Sequence, residues 1–319
     1  MKKKLGIVMD PIEKIQISHD GSFSMLLAAQ ARGFELFYME GKDLYAQNGI
    51  AYGSAAKLRV EDNAAHWFDL SPPTNIALNT LDIILMRVDP PVTMDYIYLT
   101  HLLELAEKNG VRVINAPAAL RDVNEKNFIL WFPDCIAPTL ISRDSKMIRA
   151  FIAEHEKVII KPLDGMGGKG IFYITPEDKN VSVILETMTN NNRSLIMVQR
   201  YIPEIALGDK RIILIDGEPF PYALARVAAP NEIRANMAAG GKGHCVPLSA
   251  RDKWLCERIG PTLRQKGLFL VGLDVIKEQI LKAHVERSPE DEVEDLAALD
   301  HLAYQANRKE AAKRLNRPP

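Results

Sequence analysis

The stretch Lys161-Pro162-Leu163-Asp164-Gly165-Met166-Gly167-Gly168-Lys169-Gly170 constrains the fold of this chain more than any other segment. Gly165, Gly167 and Gly170 fit the spacing G-x-G-x-x-G, which in a dinucleotide-binding turn follows a strand and opens a helix. Here Val158-Ile159-Ile160 precedes it and Ile171-Phe172-Tyr173-Ile174 follows, so both flanks read as strands. A Walker A loop also fails, because Ile171 stands where that motif has Lys and then Ser or Thr. A glycine loop between two strands can close over phosphates with its backbone N–H groups, and Lys161 would add a point charge. The bland alternative is a glycine-rich hairpin with a solvated lysine.

Upstream of this loop the pattern alternates. Leu5 to Met9, Phe34 to Met39, Asp82 to Arg87 and Val111 to Asn115 read as strands. Ser22 to Arg32, with Ser22 as N-cap and Gly33 as stop, and Tyr96 to Asn109, stopped by Gly110, read as helices. Strands alternating with helices predict a parallel α/β layer, whose ligands meet the carboxyl ends of strands. Arg87 and Asn115 sit at such ends. From about residue 122 the character changes. Asp122-x-x-Glu125 predicts a helix start before an apolar helix ending at Pro133, and Ser145 to Glu156 a further helix. Strands then dominate: 158–161, 171–174, 195–202, 211–215, a turn at Asp216-Gly217, and 222–226. A helix over 249–266, a buried strand over 268–276 and its hairpin partner over 280–286 follow.

Composition excludes several classes. Among 319 residues, 40 basic and 41 acidic side chains give a net charge of −1, which argues against a dedicated nucleic-acid binder. The apolar run after Met1-Lys2-Lys3-Lys4 has five residues, short of a signal peptide's core, and no run approaches a membrane span. Three cysteines without C-x-x-C spacing fit a reducing cytoplasm. Glu290 to Asp300 holds six acids and no base, and Arg308 to Arg317 five bases and one acid, as in a solvated helix aligned with its dipole.

Several polar residues could carry chemistry. Lys126 is a second cation beside Lys161. The strand end Gln199-Arg200-Tyr201-Ile202 could present backbone groups to an adenine ring. Arg211 and Arg226 lie on the two arms of one hairpin and could face one cavity, where arginine grips carboxylate or phosphate bidentately. Asn231 to Lys242 (NEIRANMAAGGK) has the small residues of a mobile lid, or of an ordinary surface loop.

In order, Asn124-Glu125-Lys126, KPLDGMGG at Lys161 to Gly168, GDKR at Gly208 to Arg211, DGEP at Asp216 to Pro219, NMAAGGKG at Asn236 to Gly243 and VGLD at Val271 to Asp274 resemble an ATP-grasp ligase. LGIVMDPI at Leu5 to Ile12 and LMRVDPP at Leu85 to Pro91 make the chain similar to the bacterial glutathione synthetase family. The resemblance runs from the N-terminus to about Ile276. It implies an α/β chain with an N-terminal parallel (Rossmann-like) domain over 1–121. A small ATP-clamping subdomain over 122–202 and a C-terminal subdomain over 203–289, with a lid at 227–242, would clamp ATP between them, and 290–319 form an atypical charged tail.

The implied reaction joins γ-glutamylcysteine to glycine with ATP and Mg2+ (or Mn2+) through an acyl phosphate. By the same resemblance Lys126 and Lys161 bind the phosphates under Gly165, Met166, Gly167 and Gly168. Gln199, Arg200, Tyr201 and Ile202 line the adenine pocket, with Asp209 part of the nucleotide site. Arg211 stabilises the transferring phosphoryl group with Arg226 beside it. Arg234, Asn236, Gly240 and Gly241 belong to the lid, and Arg87 holds substrate. A cytoplasmic homotetramer, with no nucleic-acid or membrane partner, is implied as well.

The resemblance breaks after Asp274, the implied metal ligand. The family's Glu-x-Asn metal pair falls here on Lys282 and His284, and its Thr-Ser-Pro substrate loop is replaced. Mg2+ takes oxygen ligands, and an ammonium beside it repels. Three alternatives stay open: Glu278 or Glu286 substitutes by a shifted register, the end of the chain is altered, as by an out-of-frame tail, or the chain binds nucleotide with weak or no turnover.

Overall fold

The computed structural model describes residues 2–17, 20–164, 170–227 and 242–284. It is built on three sheets. The first contains β1 (Lys4–Met9), β2 (Glu35–Met39), β3 (Leu44–Gln47), β4 (Ile50–Val60), β5 (Phe68–Leu70), β6 (Thr74–Ala77), β7 (Ile83–Arg87) and β8 (Arg112–Ile114). Its central order is β3-β4-β2-β1-β7-β8. The pairs β1–β2, β1–β7 and β7–β8 are parallel, as expected from the helix-strand alternation. Beyond this parallel core the sheet is extended by antiparallel strands: β4 runs antiparallel to β2, β3, β5 and β6. β4 is rich in Ala and Gly and alternates weakly, so its eleven residues carry little strand signal.

Helix α1 (Gly21–Ala31) covers one face of this sheet and α2 (Met94–Lys108) the other. Ile7 and Met9 pack with Phe23 and Leu26, whereas Val8 and Ile84 pack with Leu99 and Leu103, the period-two division of a strand buried on both faces. The cap of α1 is Asp20, whose Oδ1 accepts from Phe23 N at 2.8 Å, two residues before the expected Ser22. After the short α3 (Pro117–Asp122) the expected apolar helix is absent. Asn124 Oδ1 accepts from both Lys126 N and Asn127 N, a turn that competes with helix initiation. Only a 3-10 turn, Phe128–Trp131, follows.

The second sheet, β11-β10-β12-β9, is antiparallel: β9 (Thr139–Ser142), β10 (Val158–Pro162), β11 (Phe172–Ile174) and β12 (Ile196–Arg200). Helices α4 (Ser145–His155) and α5 (Val181–Met188) pack on its Val158, Ile160, Ile196 and Val198 face. Lys161 and Gln199 therefore project from the other face.

The third sheet, β15-β14-β13-β16-β17, is also antiparallel: β13 (Asp209–Ile215), β14 (Glu218–Val227), β15 (Lys242–Pro247), β16 (Leu270–Ile276) and β17 (Gln279–His284). Helix α6 (Ala250–Lys266) lays Leu255, Cys256, Ile259 and Leu263 into the core that contains Ile212, Leu273 and Val275. The first and third sheets are joined by Asn115, which exchanges two 2.8 Å hydrogen bonds with the backbone of Leu270. Asn115 thus serves docking, where its place at a strand end had suggested ligand contact.

One contact in this sheet tolerates no side chain. Asp216 and Gly217 both have positive φ, as the β13–β14 hairpin requires, and Gly217 lies directly on Gly260 of α6. A Cβ on Gly260 would meet the Gly217 carbonyl oxygen at 2.2 Å, and backbone cannot rotate aside as a side chain can. Gly260→Ala is expected to destabilise the protein by about 2 kcal/mol, read from urea unfolding. An unchanged midpoint would refute the contact.

Candidate active site

Alternation along the third sheet separates apolar side chains, which meet α6, from charged ones on the opposite face. Cross-strand partners share a face, and the register pairs Asp209 with Arg226, Arg211 with Asp274, and Asp274 with Lys282. Those five side chains therefore converge. Arg226 grips Asp209 through Nε (2.8 Å to Oδ1) and Nη2 (2.6 Å to Oδ2). Arg211 grips Asp274 in the same way, at 2.8 and 3.0 Å. Arg226 Nη2 also reaches Asp274 Oδ1 at 2.8 Å, and Lys282 Nζ lies 3.6 Å from Asp274 Oδ2. Arg226 is 1% exposed and Asp274 2%, so these charges sit in a medium where only paired ions persist. The expectation that Arg211 and Arg226 face one place is met.

The second sheet contributes the facing group. Lys161 Nζ donates to Gln199 Oε1 at 3.2 Å, and Gln199 Nε2 donates to Thr139 Oγ1 at 2.9 Å. Burial pushes the Lys161 ammonium down to about 7, and the Lys126 and Lys282 ammoniums push it the same way. Lys126 is equally buried. Its Nζ contacts Glu125 Oε1 at 2.6 Å and the Leu163 carbonyl at 3.3 Å. Asn124 Nδ2 reaches that same carbonyl, while Glu125 accepts a backbone hydrogen bond from Ala283 on β17. The Asn124-Glu125-Lys126 turn thus ties the end of β10 to β17 and draws the lysines of both sheets together.

Further along β12, Arg200 N donates to the Pro138 carbonyl and Tyr201 N to that of Lys157, so these amides serve the protein's own backbone. The Tyr201 ring stands edge-on to Tyr173, with centroids 4.9 Å apart, and Ile202 is buried with Ala137 and Ile276. Gly165, Met166, Gly167, Gly168, Arg234, Asn236, Gly240, Gly241 and Glu286 lie outside the described residues, as do 228–241 of the expected lid. Val227 ends β14 and Lys242 begins β15.

Arg87 lies apart, at the carboxyl end of β7, paired in register with Met9 of β1. Its Nε donates to Ser22 Oγ at 3.0 Å, and its Nη2 is buried with no hydrogen-bond partner among the described residues. Burial lowers its pKa to about 10 against the pull of Asp20, Asp89 and Tyr96. A buried guanidinium atom of this kind is a candidate donor to an anionic ligand.

The groups around Asp274 do not fit a divalent ion held by the protein. Mg2+ requires several oxygen ligands, yet both Asp274 oxygens are engaged by cations and Lys282 stands directly opposite. No cluster of three or more His, Cys, Asp or Glu side chains occurs among the described residues. Glu278 sits in the β16–β17 turn, beyond the last rung Ile276–Gln279, exposed and four residues from Asp274. It is not brought to Asp274. The backbone of His284 pairs with Gly272. Sequence reasoning missed Glu125 and Thr139. Glu125 had a signal, its place between Asn124 and Lys126, which was absorbed into a helix-start motif.

Two family models cover most of the chain: the prokaryotic glutathione synthetase N-terminal domain matches residues 3–121, and the prokaryotic glutathione synthetase ATP-grasp domain matches 125–294. Glutathione synthetase from Pseudomonas aeruginosa is 52% identical over 285 residues, 89% of this chain and 90% of the relative. That from Coxiella burnetii is 50% identical over 285 residues, 89% of each chain. Among solved structures, D-cycloserine synthetase DcsG shares the fold with a TM-score of 0.62 at 14% identity, covering 96% of this chain and 100% of its own. D-alanyl-alanine synthetase A from Vibrio cholerae does so with 0.60 at 13% identity and 94% of each chain. The buried lysine-arginine cluster between the second and third sheets, two matching domain models and half-identical relatives over nearly nine-tenths of the chain agree, and the chain belongs to the prokaryotic glutathione synthetase family, ATP-dependent C–N ligases of the ATP-grasp fold.

Proposed function

We propose that this chain joins γ-glutamylcysteine to glycine at the expense of ATP, giving glutathione, ADP and phosphate. The observation that carries the reading is the meeting of Lys126, Lys161, Arg211 and Arg226 from two sheets, a fixed set of cations suited to phosphoryl transfer. A carboxylate oxygen of the dipeptide attacks the terminal phosphorus of ATP, and ADP leaves. The glycine amine then attacks the acyl carbon, an amide forms, and phosphate departs with the bonding pair. Family membership brings ATP and a divalent metal with it. That metal would be Mg2+ or Mn2+ and would shield the phosphate charge of bound ATP.

The residues divide the work. Lys161, oriented by Gln199 and Thr139, and Lys126, oriented by Glu125, hold the phosphates. Gly165 to Gly168 cover them. The segment Gln199 to Ile202, with Tyr201 braced on Tyr173, lines the adenine pocket. Arg211 and Arg226 keep their charge and their direction because Asp274 and Asp209 hold them, so little reorganisation accompanies charge development on the phosphoryl group. Arg234, Asn236, Gly240 and Gly241 belong to a lid that keeps water from the acyl phosphate. Arg87 receives a carboxylate of the dipeptide. A cytoplasmic homotetramer completes the reading, supported by the family resemblance. The alternative of a nucleotide binder without turnover draws no support from the comparisons.

The direct test is phosphate release with Mg-ATP and γ-glutamylcysteine, with and without glycine. Release that requires glycine is expected, and glycine-independent or absent release would overturn the reading. Arg87→Ala is expected to raise KM for γ-glutamylcysteine by about tenfold or more while ATP affinity stays unchanged, the worth of one charge-assisted hydrogen bond. Equal loss for both substrates would place Arg87 in the scaffold instead.

Lys161 adds a pH signature. Its folded value near 7 lies below the ordinary 10.5, so between these values the unfolded chain binds more protons than the folded one. Its contribution to stability therefore rises as pH climbs through that window, and burying the charged form is unfavourable below it. Phosphate binding favours the ammonium. At pH 8, calorimetry in buffers of different ionisation enthalpy is expected to show uptake of about one proton per ATP, abolished in Lys161→Gln. Binding without proton uptake would mean that Lys161 is already charged in the free protein.

A further inference from the structure

Among the described residues, the charges where the second and third sheets meet do not balance. Five basic side chains, Lys126, Lys161, Arg211, Arg226 and Lys282, face three carboxylates, Glu125, Asp209 and Asp274. Lys282 differs from the other four in how it is held. The arginines make bidentate contacts of 2.6–3.0 Å, and both Lys126 and Lys161 have hydrogen-bonded oxygens. Lys282 has one ion pair, at 3.6 Å, beyond the length of an N–H···O hydrogen bond, and no hydrogen bond among the described residues. Its side chain is only 16% exposed. An ammonium with three donors in such a place lacks acceptors among the described residues, and removing it from water without them is costly. It is also near enough to Lys161 to depress that group's pKa, so the two ammoniums lie within electrostatic reach of each other from opposite sheets.

We infer that Lys282 is a phosphate-binding residue whose ammonium, beside Asp274, neutralises the nucleotide's phosphates, so that this chain binds a nucleoside triphosphate in the absence of a divalent ion. The inference rests on the nucleotide reading above and deepens it. Its logic is geometric. Three ammoniums and two guanidiniums fixed by their neighbours offer an anion compensation that a carboxylate-lined site would leave to a metal. Asp274, engaged by Arg211, Arg226 and Lys282, then orients cations and leaves no oxygen pair for a metal. The divalent ion that accompanies ATP is bound by the nucleotide alone.

The test is calorimetric titration of the full-length protein with ATP, once with excess EDTA and once with excess MgCl2. The protein is expected to bind ATP in EDTA within about tenfold of its affinity in Mg2+. Lys282→Met is expected to lose about tenfold or more in EDTA and much less in Mg2+, whereas Lys282→Arg retains binding in both. Lys282→Glu is expected to bind only with Mg2+. Binding by the parent in Mg2+ but not in EDTA overturns the inference and leaves the nucleotide reading standing. Binding in neither removes both. A Lys282→Met protein that binds in EDTA as the parent does overturns the role of Lys282 and assigns its charge to holding Asp274. If Lys282→Met does not fold, by circular dichroism, the parent's EDTA-to-Mg2+ comparison and Lys282→Arg decide alone.

Discussion

The carboxylate of Asp274 organises the charged side of this molecule. It sits on β16 between Arg211 of β13 and Lys282 of β17, and Arg226 reaches it from β14. Four adjacent strands thus send a charged side chain to one buried point, and removing Asp274 would strand the cations gathered around it. Loss of one partner from a buried ion pair costs on the order of 3–5 kcal/mol because an uncompensated charge stays behind. Such a cluster is weak evidence of stability, since an apolar replacement would pack as well. It is better understood as what keeps two guanidiniums charged, buried and pointing in a fixed direction.

That arrangement depends on the two faces of each sheet being used differently. α6 covers the apolar face of the third sheet, and α4 with α5 that of the second. The remaining faces carry Lys161 and Gln199 on one side and the Asp274 cluster on the other. Neither face could be left to water at such low exposure, and neither could be packed against apolar groups. They meet each other across the turn that carries Glu125 and Lys126. The depressed Lys161 pKa expresses the same tension: burial and two like charges oppose its protonation, and an incoming phosphate would relieve it.

Much of this was legible in the chain. The parallel strands β1, β7 and β8, helices α1, α2, α4 and α6, and the hairpin around Asp216-Gly217 follow from periodicity and turn chemistry, with ends displaced by up to four residues. β3 to β6 were not legible, because short or Ala- and Gly-rich strands lack the alternation that identifies a half-buried strand. The turn at Asn124 was misjudged because an acid three residues after another acid imitates a capping box, while the Asn124 side chain bonded the backbone locally instead. Asn115 looked ligand-facing from its place at a strand end, and its two bonds to Leu270 became visible only once a strand 155 residues away was beside it.

The sequence by itself determined which residues could do chemistry and, through the family resemblance, that Lys282 falls where the family has a metal ligand. Local spacing did not settle the partner of Asp274: counting from the two-residue turn places Leu281 opposite it, and a register shift between Asp274 and Val275 brings Lys282 there instead. Only the tertiary structure decided that Arg211 and Arg226 would share Asp274, that Lys161 would be buried within electrostatic reach of Lys282, and that Asp274 would have no oxygen left for a metal. Those facts depend on where two sheets meet, and the turn at Asn124-Glu125-Lys126 joins them through bonds to Leu163 and Ala283, residues too distant along the chain for any local pattern to pair.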